Sequence, residues 1–365
     1  MKKMILMLAG ALLLCSCGAK KSVTLGDKSN LDTLSYAIGN NIGSQFKFQM
    51  RTIPLNFKEL TKGLEAAALG KSPRYDMSEA GEMLQEYFSV TARERSMQIR
   101  QERMKADSIR LAEGDTTRVE YPIADPAMFE SERERNDISY ALGCNVGYGI
   151  SEEEEPLQIY WVCQAIMDVQ EETPQVDMMA CRNFLQNHFM VVVPQRNREQ
   201  SEAWLAEIEK KPGVQKTESG LLYQVVVAGD MEQRPDDLRD VVKVHYKGSK
   251  QNGRVFDASR FADMPKARQE MLKSQLPEDF DKDEPVEFPL NAVIKGWGEG
   301  LQLVGKGGQI ILWIPSDLAY GPRGSRNVIG PNQALRFEVE LIDVISHEEP
   351  AAPAEGEAEG EEAAE

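Results

Sequence analysis

Histidine is almost missing from this chain: His188, His245 and His347 are the only three in 365 residues, and they lie far apart in sequence. No zinc-ligand spacing can be assembled from them. Neither a Ser/His/Asp nor a Cys/His nucleophile arrangement is visible, so no metal, cofactor or covalent catalysis is expected. Cysteine is also sparse, five in all and without a CxxC pair. Outside the N-terminal leader only Cys144, Cys163 and Cys181 remain, an odd number that cannot close a complete disulfide framework. They read as buried thiols, with one disulfide as the alternative. Basic residues are outnumbered, 42 Lys+Arg against 59 Asp+Glu, for a formal net charge of −17. Direct nucleic-acid binding needs a basic face and is therefore not expected.

The two ends are the least fold-like parts. Lys2 and Lys3 precede an apolar run at residues 4–14, too short to cross a bilayer, which needs about 20 residues. The run ends in Leu14-Cys15-Ser16-Cys17-Gly18, which resembles a bacterial lipobox: aliphatic at −3, small at −1, then cysteine. The resemblance implies removal of residues 1–16 and a diacylglyceryl group on Cys17, hence a membrane anchor in the cell envelope. Gly18 is not acidic, which by analogy favours the outer membrane facing the periplasm. An ordinary signal peptide is the alternative. At the other end, residues 347–365 hold eight Glu and no Lys or Arg. That composition cannot bury enough apolar surface to offset its ordering entropy, and a disordered acidic tail is expected.

The first half repeats itself. Leu34-Ser35-Tyr36-Ala37-Ile38-Gly39 recurs as Ile138-Ser139-Tyr140-Ala141-Leu142-Gly143, and Leu84-Gln85-Glu86-Tyr87-Phe88 as Leu185-Gln186-Asn187-His188-Phe189, the offset drifting from 104 to 101. Two helical copies are expected, residues 30–113 and 135–211, the second including a connecting helix, with a linker at 114–134. Leu34, Ile38 and Ile42 form one apolar stripe and Phe57, Leu60 and Leu64 another. Asp76 followed by Glu79 predicts a capping box opening a third helix, whose apolar face would be Met83, Tyr87, Val90 and Met97, stopping near Gly114. Pro194 should kink or break the corresponding helix of the second copy. Gly39 with Gly43, and Gly143 with Gly147, either permit close helix approach or end their helices. Tyr36 and Tyr140 read as core or interface residues.

Beyond Gly220 the period changes from helical to alternating, with Val242, Val244 and Tyr246 on one strand face and Leu335, Phe337, Val339 and Leu341 on another. Gln251-Asn252-Gly253 is a hairpin turn signal, and a short helix is predicted around residues 293–301. This pattern gives an α+β domain at residues 213–346, an antiparallel sheet wrapped over a short helix. The fold class is therefore multidomain, an all-α part followed by an α+β part.

Five blocks in this region carry a resemblance: Val244-His245-Tyr246-Lys247-Gly248, Val255-Phe256-Asp257-Ala258-Ser259, residues 293–301 with Gly296-Trp297-Gly298, Ala319-Tyr320-Gly321, and Phe337-Glu338-Val339. In that order they resemble the pocket of FKBP-type peptidylprolyl isomerases, and the helical copies resemble the N-terminal domain of the Mip-like members. The resemblance implies catalytic roles for Asp257, Tyr320, Phe256 and Phe337, and substrate binding by Tyr246, Val293, Ile294, Trp297 and Ile329. It implies proline-containing unfolded or exported polypeptides as partners. The N-terminal domain normally occurs once and dimerises through intertwined helices. Two copies in one chain therefore point to an intrachain pseudo-dimer, with a homodimer as the alternative. Three departures are visible: Val286 where the family often has an aromatic residue, Arg326 two positions after Gly324 with no His lining that loop, and an insertion at 261–284, either a lid or client-contact loop or a tolerated surface loop. A non-catalytic peptide-binding chaperone is the competing function.

Overall fold

The computed structural model describes residues 23, 31–152, 155–276, 278, 280–325 and 328–347. The leader with Cys17 and the acidic tail beyond His347 lie outside these residues. Two compact units divide the chain, Met1–His188 and Phe189–Glu365.

In the first unit, α1 (Leu31–Gln49), α2 (Phe57–Ala68) and α3 (Met77–Glu86) are followed by a π-helical turn, Tyr87–Thr91, and the long α4 (Ala92–Ala112). The second copy repeats the series as α5 (Glu132–Glu152), α6 (Ile159–Gln170), α7 (Met178–Asn187) and a π turn at His188–Val192. The Asp76–Glu79 capping box forms as expected, satisfying two backbone donors at the start of α3. Just past α4, Gly114 takes the positive φ of 83° that ends the run.

The copies exchange their first helices. α1 packs on α6 and α7, while α5 packs on α2 and α3. The recurring Ser-Tyr pair explains part of this exchange. The Ser35 hydroxyl accepts the backbone N–H of Gln158 at 2.8 Å, and the Ser139 hydroxyl accepts that of Asn56 at 2.9 Å. Each serine thus meets the residue just before the other copy's second helix. The Tyr36 hydroxyl accepts the N–H of Gln175 at 2.7 Å, and that of Tyr140 accepts the N–H of Arg74 at 3.4 Å. These are reciprocal bonds, made by the same motif in both directions. The glycines serve the same crossing. A Cβ on Gly39 or Gly143 would sit less than 3.0 Å from backbone atoms of Val162 or Leu60 respectively. Both helices continue well past Gly43 and Gly147, so close approach, not helix termination, explains these residues.

One expectation is corrected here. Tyr87 is buried, but Val90 and Met97 are more than half exposed. The π turn at Tyr87–Thr91 inserts an extra residue, which rotates the downstream face by about 100° and turns Ala92 and Ile99 inward instead. The same turn recurs at His188–Val192, ahead of Pro194, yet the first copy has no proline there, so proline is not its cause. The linker at residues 114–134 joins the two copies. Met128 and Phe129 are buried at the end of this segment, with Phe129 stacked on Tyr87 at 5.2 Å and the Tyr87 hydroxyl donating to the Met128 carbonyl at 2.9 Å. The join is docked along its last part because two apolar side chains pack beside the π turn and α4. Cys144, Cys163 and Cys181 are free thiols. Burial pushes Cys144 and Cys181 up to about 11 and Cys163 to about 12, so all three stay protonated and weakly nucleophilic at neutral pH.

The second unit opens with α8 (Val193–Glu209), whose first turn holds Pro194, where no intrahelical donor is lost. The α-helical run is interrupted by the π turn just ahead of Pro194 and resumes as α8. That helix belongs with the sheet that follows, so the compact unit starts earlier than the residue-213 boundary read from sequence. The strands are β1 (Gln215–Lys216), β2 (Leu222–Val227), β3 (Val241–Lys250) and β4 (Val255–Ala258). Next come α9 (Lys266–Gln275) within the insertion, β5 (Val286–Pro289), α10 (Lys295–Gly300), β6 (Gln309–Ile314) and β7 (Leu335–Ile345). All pairings are antiparallel in the order β1-β2-β6-β7-β3-β4, with β5 sharing the second edge of β3. Alternation along β6 serves two cores. Ile310, Leu312 and Ile314 face α10, while Ile311 and Trp313 face Trp204, Leu205 and Ile208 of α8. Gly253 closes the β3–β4 hairpin at φ 82°.

Candidate active site

The β3–β4 hairpin places Tyr246 beside Asp257, and the Tyr246 hydroxyl donates to Asp257 Oδ2 at 2.8 Å. Burial, then this bond to a carboxylate, raises the Tyr246 pKa, and Tyr320 lies near enough to raise it further. The phenol is therefore a fixed donor at neutral pH. Behind it, α10 holds Trp297 under the sheet, 4% exposed. Tyr246 and Phe337 each meet Trp297 edge-on with centroids 5.3 Å apart, and Phe256 meets Phe337 at 5.6 Å and 89°. Perpendicular packing of this kind directs ring edges at ring faces and fixes each ring against the next. Room for it comes from Gly248, which pairs with both Asp257 and Phe337. A Cβ there would lie 2.7 Å from the Phe256 ring and 2.8 Å from Phe337.

Val293 and Ile294, just before α10, pack half-buried against the same cluster, and Ile329 is buried in it. Tyr320 is 38% exposed, on the loop that follows β6. The structure thus brings together Tyr246, Phe256, Trp297 and Phe337 in direct ring contact, with Asp257 bonded at their edge. Val293, Ile294 and Ile329 pack around them.

Two contributors escaped the sequence reading. Phe288 on β5 stands edge-on to Tyr246 at 6.0 Å and to Trp297 at 5.8 Å. The alternation Val286, Phe288, Leu290 was its signal, since it puts Phe288 on the inward strand face. The other is Arg268 of the insertion, whose Nη1 lies 3.0 Å from Asp257 Oδ1. The insertion is stapled at its base: Phe261 and Phe280 stack edge-on at 5.1 Å, the Lys273 ammonium lies 5.6 Å from the Phe261 ring, and Asp283 accepts the N–H of Phe261 at 2.8 Å. Nothing local in sequence links Arg268 to Asp257. Together these contacts leave the carboxylate held from both sides, at the edge of an aromatic wall.

Comparison with known proteins now adds to this geometry. FKBP-type peptidyl-prolyl cis-trans isomerase matches residues 233–342, and the domain amino terminal to FKBP-type peptidyl-prolyl isomerase matches twice, at 31–116 and 135–225. The probable FKBP-type peptidyl-prolyl cis-trans isomerase FkpA of Neisseria meningitidis is 34% identical over 223 residues, covering 56% of this chain and 73% of that protein. The FKBP-type 22 kDa peptidyl-prolyl cis-trans isomerase of Escherichia coli is 35% identical over 215 residues, covering 57% of this chain and 94% of that protein. The crystal structure of FkpA from Escherichia coli aligns at 29% identity over 60% of this chain and 98% of that one, with a TM-score of 0.38. A helical module matched twice, an isomerase domain matched once and the 22 kDa relative matched along 94% of its sequence agree: the chain belongs to the FKBP-type peptidyl-prolyl cis-trans isomerase family and is an enzyme of that class.

Proposed function

We propose that the wall around Trp297 is where the X-Pro bond of an exported, incompletely folded polypeptide is twisted. Phe256, Phe337, Asp257 and Tyr320 are the catalytic residues in this reading, while Tyr246, Val293, Ile294, Trp297 and Ile329 hold the prolyl segment. The observation that carries it is the perpendicular ring cluster with a carboxylate bonded at its edge by Tyr246. Rotation about a peptide bond faces a barrier of about 18–20 kcal/mol because resonance gives the C–N bond double character, and X-Pro isomerisation takes on the order of 10–100 s uncatalysed. Twisting removes that resonance and with it much of the charge separation between oxygen and nitrogen. An apolar wall favours the less polar twisted amide over the planar one, which is binding differential between transition state and ground state. The Tyr320 hydroxyl donates to a substrate carbonyl and holds the twisted bond in place. Asp257 orients the Tyr246 ring or meets the substrate carbonyl carbon. The full chain should speed cis-to-trans conversion of an Ala-Pro tetrapeptide. Suppressed client aggregation with no such acceleration would favour the chaperone reading instead.

Arg268 completes the hold on Asp257. An exposed ion pair contributes about 0.2–1 kcal/mol, so Arg268→Ala should lower kcat/KM by up to about fivefold while the fold persists. An unaltered rate would leave the insertion without a part in the site.

The lipobox-like Leu14-Cys15-Ser16-Cys17 supports a lipid anchor on Cys17 and a place in the outer membrane facing the periplasm. The reciprocal bonds between the two copies support a monomer over a homodimer.

A further inference from the structure

The two halves of the helical unit are not equivalent at one position. Tyr148 on α5 lays its ring on the core, and its hydroxyl donates to the Tyr75 carbonyl at 2.9 Å. By the repeat's offset the matching residue on α1 is Ser44, and the carbonyl matching that of Tyr75 is that of Val176. At Ser44 the structure has an open cleft of about 500 Å³, lined also by Asn40, Phe48, Val169, Pro174 and Met178. A second difference points the same way. Phe48, 77% exposed at the lip, stands where the other half has the charged Glu152. At the base, Asn40 is 1% exposed and gives its Nδ2 to the Val176 carbonyl at 3.3 Å, while its Oδ1 has no hydrogen-bond partner among the described residues. The Lys47–Glu172 pair, 2.7 Å apart, borders the same cleft.

We propose that this cleft is a second peptide-binding site, separate from the isomerase pocket, which takes a tyrosine side chain of an unfolded polypeptide. The chain supplies its own example of the occupant, since Tyr148 fills the equivalent position in the other half. An apolar body with a donor hydroxyl suits a cleft with Phe48, Val169 and Met178 on its walls and a serine hydroxyl within it. Proline plays no part in the recognition, so the site binds segments that the catalytic pocket does not select.

The test is calorimetric titration of the full chain with a blocked, proline-free Gly-Ser-Tyr-Ser-Gly pentapeptide and its Tyr-to-Ala counterpart. The tyrosine peptide should bind about tenfold more tightly or better. Ser44→Tyr, which fills the cleft as Tyr148 does, should abolish that binding without lowering the melting temperature. Phe48→Ala, at an exposed lip where folding is not at stake, should weaken it several-fold. Turnover of the Ala-Pro tetrapeptide should be the same in both variants. Equal affinity for the two peptides, or undiminished binding in Phe48→Ala together with any folded Ser44→Tyr protein, would overturn the proposal.

Discussion

Gly143→Ala should unfold the helical unit well below the wild-type melting temperature. A Cβ at this position would meet the carbonyl carbon and oxygen of Leu60 and the amide nitrogen of Leu64, all within 3.0 Å. Every one of these atoms is backbone of α2, which cannot swing aside as a side chain can. Overpacking a well-filled contact costs about 1–3 kcal/mol, and a rigid obstruction belongs at the upper end. For a unit of this size each kcal/mol moves the midpoint by about 2–4 °C, so a fall of roughly 6–12 °C is expected by circular dichroism. Gly81 is the control: it lies inside α3 with nothing within 4 Å of its Cβ position. Gly81→Ala should stabilise by about 0.4–1 kcal/mol through the unfolded chain. Equal shifts of the same sign in the two variants would remove close approach as the reason for Gly143.

The second large effect is catalytic. Asp257→Ala removes the acceptor of the Tyr246 hydroxyl and the partner of Arg268 together. A hydrogen bond to a charged group is worth about 1.5–3 kcal/mol, so kcat/KM should fall roughly ten- to hundredfold. Tyr320→Phe deletes one neutral hydrogen bond, about 0.5–1.5 kcal/mol, and should cost up to about tenfold. Both side chains lie near the surface of the site, and neither variant should shift the melting midpoint by more than a few degrees. If both retain wild-type turnover, the roles given to these residues are wrong.

Much of this was legible because it is local or repeated. Asp76 and Glu79 sit three apart, and a capping box needs no more than that. The hairpin at Asn252-Gly253 is likewise local, since φ at Gly253 is set by residue type. Leu34-Ser35-Tyr36 and Ile138-Ser139-Tyr140 announced two copies of one module. The exchange of first helices was less legible, because a glycine shows that something approaches without naming it. The π turns were hidden for a different reason. No residue type dictates them, yet one extra residue carries Val90 and Met97 into solvent and so overturns the stripe. The contact of Tyr246, Phe256, Asp257, Trp297 and Phe337 in the candidate site was foreshadowed by the order of their blocks. Arg268 was not, because its contact with Asp257 depends on how a stapled insertion folds back, which is a tertiary matter.

The swapped helices have a consequence for how the molecule responds to dilution. A helical module assembled from two chains comes apart as protein becomes scarce, and its stability is tied to protomer concentration. Here the partner copy arrives on the same polypeptide, through residues 114–134 with Met128 and Phe129 docked. The second copy is thus present at an effective concentration of about millimolar, whatever the number of molecules nearby. The stoichiometry changes as well, since one polypeptide carries two helical modules and one isomerase domain.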